Sequence, residues 1–533
     1  MKKIKTIKIK FLLLIGLMTL MTSCLNDLSV LPKDDDDFTS EIFYSDPNSY
    51  IEFLAKIYAG LAVTGQQGPS GQADIQGIDE GFGQYLRGYW QLQELPTDEA
   101  MVAWGDPTLP ELNTQSWNAD NRFVKAFYAR VFYQVGLVNE FLRQTTDAKL
   151  DSRGVSEAQK AEIKVFRAEA RFLRALSYYH AIDLFGKVAF ATEESSVGDN
   201  PEEKDRTFVF NYLVDELNAI DADLKPARTN DYGRVDKIAA KMLLAKLYLN
   251  STIFTGVNKD AEALTATNEV IASPYSISNV PYSDLFLADN DRAEVRSEMI
   301  FPIRFDGINT KTWGGTTFLV HASTGTWNSE MGVDAGWYGL VCRKEFTNVF
   351  KNASGIVDLT GASDKRAIFK SAPLNIPTVS NFFDLGGLKV RKFKNVTSLG
   401  TAGSNQTHVD TDFPLFRLAD AYLMYAELAT KGLGSAQTAV NYINTLRARA
   451  NATLITSADL SAQFVLDERA RELYWEGTRR QDLIRFGKFI DSYNWQWKGG
   501  VYGGISVDEK YKLYPIPQSE LNSNPNLTQN IGY

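Results

Sequence analysis

Three segments far apart in this chain repeat one pattern. Ala170-x-x-Leu173-x-Ala175-x-x-Tyr178 matches Ala240-x-x-Leu243-x-Ala245-x-x-Tyr248, and Ala421-x-x-Met424-x-Ala426 repeats most of it. On a helix of 3.6 residues per turn these positions fan across more than one face. Small residues let a neighbouring helix come close, and Leu or Tyr fills the gaps. A helix packed on both sides in a stack requires that arrangement. The distance between copies is irregular, so insertions must interrupt the stack.

Helical periodicity extends well beyond these three copies. Apolar residues at helical spacing predict helices over 40–64, 120–145, 157–184, 207–224, 235–254, 258–272, 412–430, 435–450 and 459–476. In the first of them Phe53, Ile57, Tyr58 and Leu61 share a face. Short connections pair the helices into hairpins. The fold class that follows is mainly α: tetratricopeptide-like helical-hairpin repeats carrying long irregular loop insertions. Residues 273–340 and 371–411 are those insertions, rich in Gly, Ser, Thr, Asn and aromatics, with strand-like runs at 298–305 and 387–393. Loops this long inside a compact domain are usually functional or disordered.

The N-terminus has the parts of an export signal. Basic MKKIKTIKIK leads into FLLLIGLMTLM, an apolar run too short to span a bilayer comfortably, then Thr22-Ser23-Cys24. Leu20-Met21-Thr22-Ser23-Cys24 has the form of a bacterial lipobox, which implies cleavage before Cys24 and acylation of its thiol. Residues 1–23 read as a lipoprotein signal peptide, 24–40 as a lipidated tether with the Asp34–Asp37 run, and 41–533 as one α-helical domain. Acidic residues close after a lipidated cysteine also resemble signals that place lipoproteins on the cell surface in some Gram-negative bacteria. Multiple acyl chains anchor a protein stably. Cleavage removes five lysines and takes the formal net charge from −9 to −14. With no basic patch, nucleic acid is excluded as a partner. Cys24 and Cys342 are the only cysteines, so an acylated Cys24 leaves no internal disulfide.

Two aromatic stretches are not explained by the helix array. Residues 313–339 set Trp313, Trp327, Trp337 and Tyr338 among glycines, with no helical or strand period. Flat apolar rings on such a segment read either as a binding platform or as a loop whose tryptophans fold back onto the body. The second stretch carries Arg87, Tyr89 and Trp90, then Trp104-Gly-Asp106-Pro, a turn signal that puts Trp104 at a loop edge. Asp106 serves either as a hydrogen-bond acceptor for hydroxyls or as ordinary turn chemistry.

Catalytic motifs are absent. The chain has three histidines, His180, His321 and His408, and no HExxH, GxSxG or Walker A sequence. A glycosidase needs only two carboxylates at a set separation. The 65 acidic residues leave that enzyme reading open. The charge-dense segment 468–487 interleaves Arg and Glu with Leu473, Tyr474, Trp475, Leu483, Ile484 and Phe486. It reads as a half-buried structural turn of paired Arg and carboxylate groups rather than a catalytic centre.

That segment also carries a resemblance. ERARELYWEGTRRQDLIRFGKF, RAEARFLRALSYYHAIDLFGKVAF (167–190), GRVDKIAAKMLLAKLYLN (233–250) and YPIPQSELNSNPNLTQNIGY (514–533) resemble, in order, the signatures of SusD/RagB-type outer-membrane lipoproteins. The resemblance covers essentially the mature chain. It implies a tetratricopeptide-like α fold and a surface glycan-binding protein, not an enzyme, that caps a SusC-type TonB-dependent transporter. Residues 71–112, 312–320 and 335–339 are most similar to the starch-binding members. There an arc of aromatic rings fits the coil of starch. The resemblance places that arc on Trp104, Trp313 and Trp337, with Arg87 and Asp106 as hydrogen-bonding residues; Trp313 stands where those members have tyrosine, and the Asp106 loop is one residue shorter. Trp327 has no counterpart. Asp291 and Asp412 match ligands of a structural calcium ion, and no other cofactor is implied. The expected ligand is an α-glucan: starch, malto-oligosaccharides or cyclodextrins. The alternatives are another glycan on the same scaffold, or a surface glycan-degrading enzyme.

Overall fold

A computed structural model describes residues 39–352 and 354–533. The expected signal peptide, Cys24 and most of the expected tether lie outside the described residues. Two compact units divide the chain, one ending at Glu52 and the other running Phe53–Tyr533. The helix expected over 40–64 is two helices, Ser40–Phe43 and Ser49–Ala59. Pro47 lies between them and disfavours helical backbone at Asp46.

The larger unit begins with a hairpin of β1 (Gly65–Gln67) and β2 (Gly71–Ala73), then α1 (Tyr85–Glu94) and β3 (Met101–Val102). The helical array follows: α2 (Arg122–Gln144), α3 (Glu157–Phe185), α4 (Arg206–Ala219), α5 (Lys237–Leu249) and α6 (Asp260–Ile271). The insertion holds β4 (Met299–Ile303), α7 (Gly315–Ser323) and β5 (Leu340–Val341), and ends at β6 (Phe413–Arg417). Then α8 (Leu418–Thr430), α9 (Ala436–Arg449) and α10 (Ala462–Leu473) resume the array.

Helix starts are marked by their caps. The Asn121 side chain accepts from the N–H groups of Phe123 and Val124 at the head of α2, Ser156 from Gln159 at α3, and Asp236 from Ile238 and Ala239 at α5. Each cap satisfies donors that the first turn leaves free. Neighbours then pack in sequence: α2 on α3, α3 on α4, α5 on α6, α6 on α8, α8 on α9 and α10. The repeated pattern does what its spacing requires. Ala170, Leu173, Ala175, Tyr178, Ala240, Leu243, Ala245, Ala421, Met424 and Ala426 are all buried, and Tyr248 is half-buried.

Two further expectations are corrected. Residues 413–417 are strand, not the start of a helix, and β6 pairs antiparallel with β4, Phe413 opposite Ile303 and Arg417 opposite Met299. That ladder ties together the two ends of the insertion. Residues 315–323, read as aperiodic, form α7, and every residue of it is buried. A helix buried all round has no polar stripe to reveal its period. Among the described residues no helix is long and apolar enough to cross a membrane.

The charge-dense segment is structural. Arg469 reaches Asp420 at 2.8 Å and Asp482 at 2.7 Å; Arg479 reaches Asp98 at 2.8 Å; Arg485 reaches Glu427 at 2.7 Å. Arg417 is shared by Glu298, Glu472 and Glu476 at 2.6–3.0 Å. All of these side chains are buried or nearly so. Guanidinium forks satisfy carboxylates in pairs where water is excluded, which lets charge cross the core between α8, α10 and the loops.

Candidate functional site

The site is assembled where two short segments meet. β3 pairs antiparallel with β5, Met101 opposite Val341 and Val102 opposite Leu340. The register continues one step further, the Ala103 N–H donating to the Gly339 carbonyl at 2.9 Å. Trp104 therefore falls beside Tyr338, and its Nε1 donates to the Tyr338 carbonyl at 2.9 Å. This ladder brings Trp104 and Trp337 together from opposite ends of more than two hundred residues.

Gln84 places the third ring. It caps α1, accepting from the Arg87 N–H at 2.6 Å, and the same oxygen accepts from the Gly315 N–H at 2.9 Å. Its Nε2 donates to the carbonyls of Leu61 and Ala62. One buried amide thus locks the start of α1 to the start of α7, with Trp313 just ahead of α7. The sequence Trp313-Gly314-Gly315 follows from that crowding. Gly315 has φ +53°, and a Cβ there would sit 2.3 Å from the Phe305 ring.

The three indoles form a tilted row. Trp104 and Trp337 have centroids 6.4 Å apart with planes at 48°, and Trp337 and Trp313 6.1 Å apart at 56°. All three are half-buried. The Trp313 Nε1 donates to Ser70 at 3.1 Å, which fixes that ring as Tyr338 fixes Trp104. Neighbouring rings are tilted to one another, neither stacked nor coplanar.

Arg87 lies behind the row. Its guanidinium carbon is 4.4 Å from the Phe318 centroid and 5.6 Å from that of Trp104, and Nη1 donates to the Trp313 carbonyl at 3.1 Å. Burial lowers its pKa to about 10, opposed by the charges of Asp79 and Asp106. It stays protonated at neutral pH. Asp106 sits on the exposed turn after Trp104, with its carbonyl accepting from the Leu109 N–H.

Sequence reasoning missed the supports. Phe318 and His321, at i and i+3, share one face of α7. Phe318 meets Trp104 edge-on at 5.7 Å, and the His321 ring stacks on Trp337 at 4.6 Å and 25°. His408 lies 4.6 Å from Trp313. Two of the chain's three histidines back two of the three tryptophans. Burial pushes both imidazoles down, so they are neutral, apolar-backed shelves near pH 7. Phe-x-x-His was the one available sequence signal, and it is visible only once residues 315–323 are known to be helical.

Trp327 stands apart. It makes no ring contact with the other three indoles. The Lys370 ammonium lies 4.6 Å over its ring, and a Cβ on Gly325 would sit 2.6 Å from the ring edge. It is folded back against its own loop.

Asp291 and Asp412 are at a different place, and they do feel each other. Asp412 is buried, and burial pushes its carboxyl up to about 7, with the Asp291 charge adding to the rise. Its Oδ1 accepts from the Phe305 N–H at 2.8 Å, and the Tyr232 hydroxyl and the Arg304 charge favour its ionised form. Asp291 is partly exposed and pairs with Arg296 at 3.5 Å. A calcium ion takes six to eight oxygens. Among the described residues no group of three or more His, Cys, Asp and Glu is gathered. The buried Asp412 carboxylate fits a hard cation, and the remaining ligands would be carbonyls and water.

One pair of carboxylates is strongly perturbed in the manner of an acid–base dyad. Burial raises Glu94 to about 7 and Glu99 well above the usual carboxylate range. Both are essentially inaccessible. Glu94 accepts from the N–H groups of Gly477 and Thr478, and Glu99 from that of Trp475. They hold a turn of the core.

With this geometry in hand, comparison with known proteins is specific. A family model described as the SusD family matches residues 372–533. The starch-binding protein SusD of Bacteroides thetaiotaomicron is 38% identical, over 96% of this chain and 96% of its own. SusD-like protein P25 of Formosa agariphila is 28% identical over 70% of this chain and 74% of its own. Among solved structures, a SusD superfamily protein from Parabacteroides distasonis superposes with a TM-score of 0.70 at 22% identity, covering 91% of this chain and 99% of its own. Surface glycan-binding protein A from Bacteroides thetaiotaomicron, in complex with laminarihexaose, gives 0.66 at 21% identity, covering 90% of this chain and 98% of its own.

Proposed function

This chain belongs to the SusD family, and from that premise we propose that it is a cell-surface lipoprotein that binds α-glucan. It captures starch chains, malto-oligosaccharides and cyclodextrins and delivers them to a SusC-type TonB-dependent transporter in the outer membrane. Cys24 carries the lipid, and residues 41–533 act as one binding domain.

The observation that carries the reading is the tilted row Trp104–Trp337–Trp313. Pyranose C–H faces pack on aromatic faces. Rings turned by about fifty degrees from one to the next suit a ligand that also turns from unit to unit. Starch coils, whereas cellulose is straight. The row is held by hydrogen bonds at Trp104 and Trp313 and by imidazole and phenyl shelves behind, so little ordering is left for binding to accomplish. Arg87 offers forked donors to hydroxyls and Asp106 an acceptor. The 38% identity to a starch-binding protein supports the same choice.

A second glycan is the alternative within this scaffold, because a structure of the same fold holds laminarihexaose. An enzyme is disfavoured: the perturbed pair Glu94 and Glu99 is buried away from any polymer. Asp291 and Asp412 are proposed to hold a structural calcium ion that takes no part in binding sugar.

Affinity electrophoresis of the purified protein in gels containing amylopectin, pullulan, xylan or laminarin tests the reading. Retardation by amylopectin, lost in Trp337→Ala and Trp313→Ala, is expected. Retardation by laminarin alone would keep the platform and replace the ligand. Release of short sugars from labelled amylose would overturn the binding-only role.

A further inference from the structure

The Trp313 end of the row opens into a second space. A cavity of about 570 Å³ lies between Trp313 and the chain from Ser70 to Gly81, a size typical of small-ligand sites. Arg87 lines it, only 8% exposed, and its Nε has no partner among the described residues. Glu80 lines it as well. One Glu80 oxygen is buried without a hydrogen bond, and the carboxylate has no ion pair among the described residues. The floor is kept open at Gly81. A Cβ there would come 3.0 Å from Asp79 Oδ1, 3.1 Å from Arg87 Nη1 and 3.6 Å from the Trp313 Cβ.

A buried donor and a buried acceptor left unpaired are costly. Arg87 and Glu80 both line one cavity together with Trp313. A forked guanidinium and a carboxylate lining one space are complementary to hydroxyls that both donate and accept, as those of a sugar do. The carboxylates of Asp79 and Glu80 repel an anionic ligand. The ligand class is therefore a neutral polyhydroxylated ring.

We propose that this cavity is a subsite for one terminal pyranose unit of a linear glucan whose next units lie on the tryptophan row. The proposal rests on the reading of the row as an α-glucan platform. It makes the protein an end-reader as well as a coil-reader. A linear oligosaccharide long enough to fill both gains hydrogen bonds that a closed ring cannot, because a cyclodextrin has no terminal unit to insert.

Calorimetric titration of maltoheptaose and β-cyclodextrin into the purified protein, its Glu80→Ala and Gln76→Ala variants, and Trp337→Ala separates the two claims. Glu80 has no partner to lose, and Gln76 bonds only the nearby Ala73 carbonyl, so both variants should melt as the parent does. Glu80→Ala is expected to weaken maltoheptaose about ten- to a hundredfold, in keeping with the loss of one hydrogen bond to a charged group, with cyclodextrin unchanged. Gln76→Ala should change in the same direction by less. Parental maltoheptaose affinity in both variants overturns the subsite, as does equal weakening of both ligands. Trp337→Ala reports on the row alone, and its weakening of both ligands leaves the row standing whatever Glu80 does. Failure of the parent protein to bind either ligand overturns the row and the subsite together.

Discussion

His321 lies flat beneath Trp337, 4.6 Å between centroids and 25° from parallel, with its Nδ1 2.6 Å from the Ala335 carbonyl and the Trp337 N–H donating back to the His321 carbonyl at 2.8 Å. Ring and backbone are thus fixed by the same residue. Trp337→Ala should remove a platform face and weaken β-cyclodextrin about tenfold, given the ~0.5–1.5 kcal/mol an aromatic contact is worth beyond its area. His321→Ala should weaken it several-fold, although the imidazole is buried and cannot touch sugar. Titration calorimetry of the two variants checks this. Parental affinity in His321→Ala would mean that Trp337 needs no shelf.

The same imidazole predicts a response to acid. Burial lowers the pKa of all three histidines, that of His180 to about 3. In the unfolded chain each takes a proton near pH 6.5. Below that pH the unfolded state binds protons that the folded state refuses, so stability falls as pH drops from about 6.5 toward the folded values. Because buried Glu94, Glu99 and Asp412 act with the opposite sign over the same range, the histidine contribution is read as a difference: between pH 7.5 and 4.5 the parent should lose more melting temperature than His180→Phe. An identical pH dependence in the two proteins would contradict the burial of that ring.

How much of this was legible in the residues is uneven. The Ala-x-x-Leu-x-Ala pattern announces α3, α5 and α8 because helices packed on two sides need small residues at those positions. Residues 315–323 gave no such signal, since a helix buried on every side lacks a polar face. The ladder β3–β5 is two residues long on each side, too short for any alternation to register, yet it is what sets Trp104 beside Trp337. The role of Gln84 is equally silent, because capping by its side chain depends on Gly315 arriving from far along the chain. The site was found by resemblance, and its supports only by geometry.

The charge network around Glu472 should be the most sensitive part of the core. Burial works against this carboxylate, but Arg449, Arg417 and Arg366 prevail and hold it at about 2. Removing one partner strands the others without water. Glu472→Ala should destabilise by about 3–5 kcal/mol, measured by urea unfolding. Because the folded pKa is depressed, the stabilisation is present above the unfolded value near 4.5 and is lost as pH falls from there toward 2. A parental urea midpoint in Glu472→Ala would show the network to be redundant.

Asp412 gives the opposite sign, and with it a test for calcium. Its folded pKa is raised to about 7 from an ordinary 3.8, burial being the first cause. The folded state therefore keeps a proton that the unfolded state releases, and the stability this confers is lost as pH rises from about 4 to about 7. Above that range the buried carboxylate is charged, eased in part by Arg304 and the Tyr232 hydroxyl, and Asp291 adds a like charge nearby. A divalent cation held by both aspartates would relieve that state and would be excluded by the proton below it. Calcium added to chelator-treated protein should accordingly raise the melting temperature at pH 8 and do little at pH 5, and Asp412→Asn should remove the effect. No heat on titration and no shift in melting at pH 8 would remove calcium from Asp291 and Asp412, leaving Asp412 as a structural acceptor for the Phe305 N–H and the Tyr232 hydroxyl.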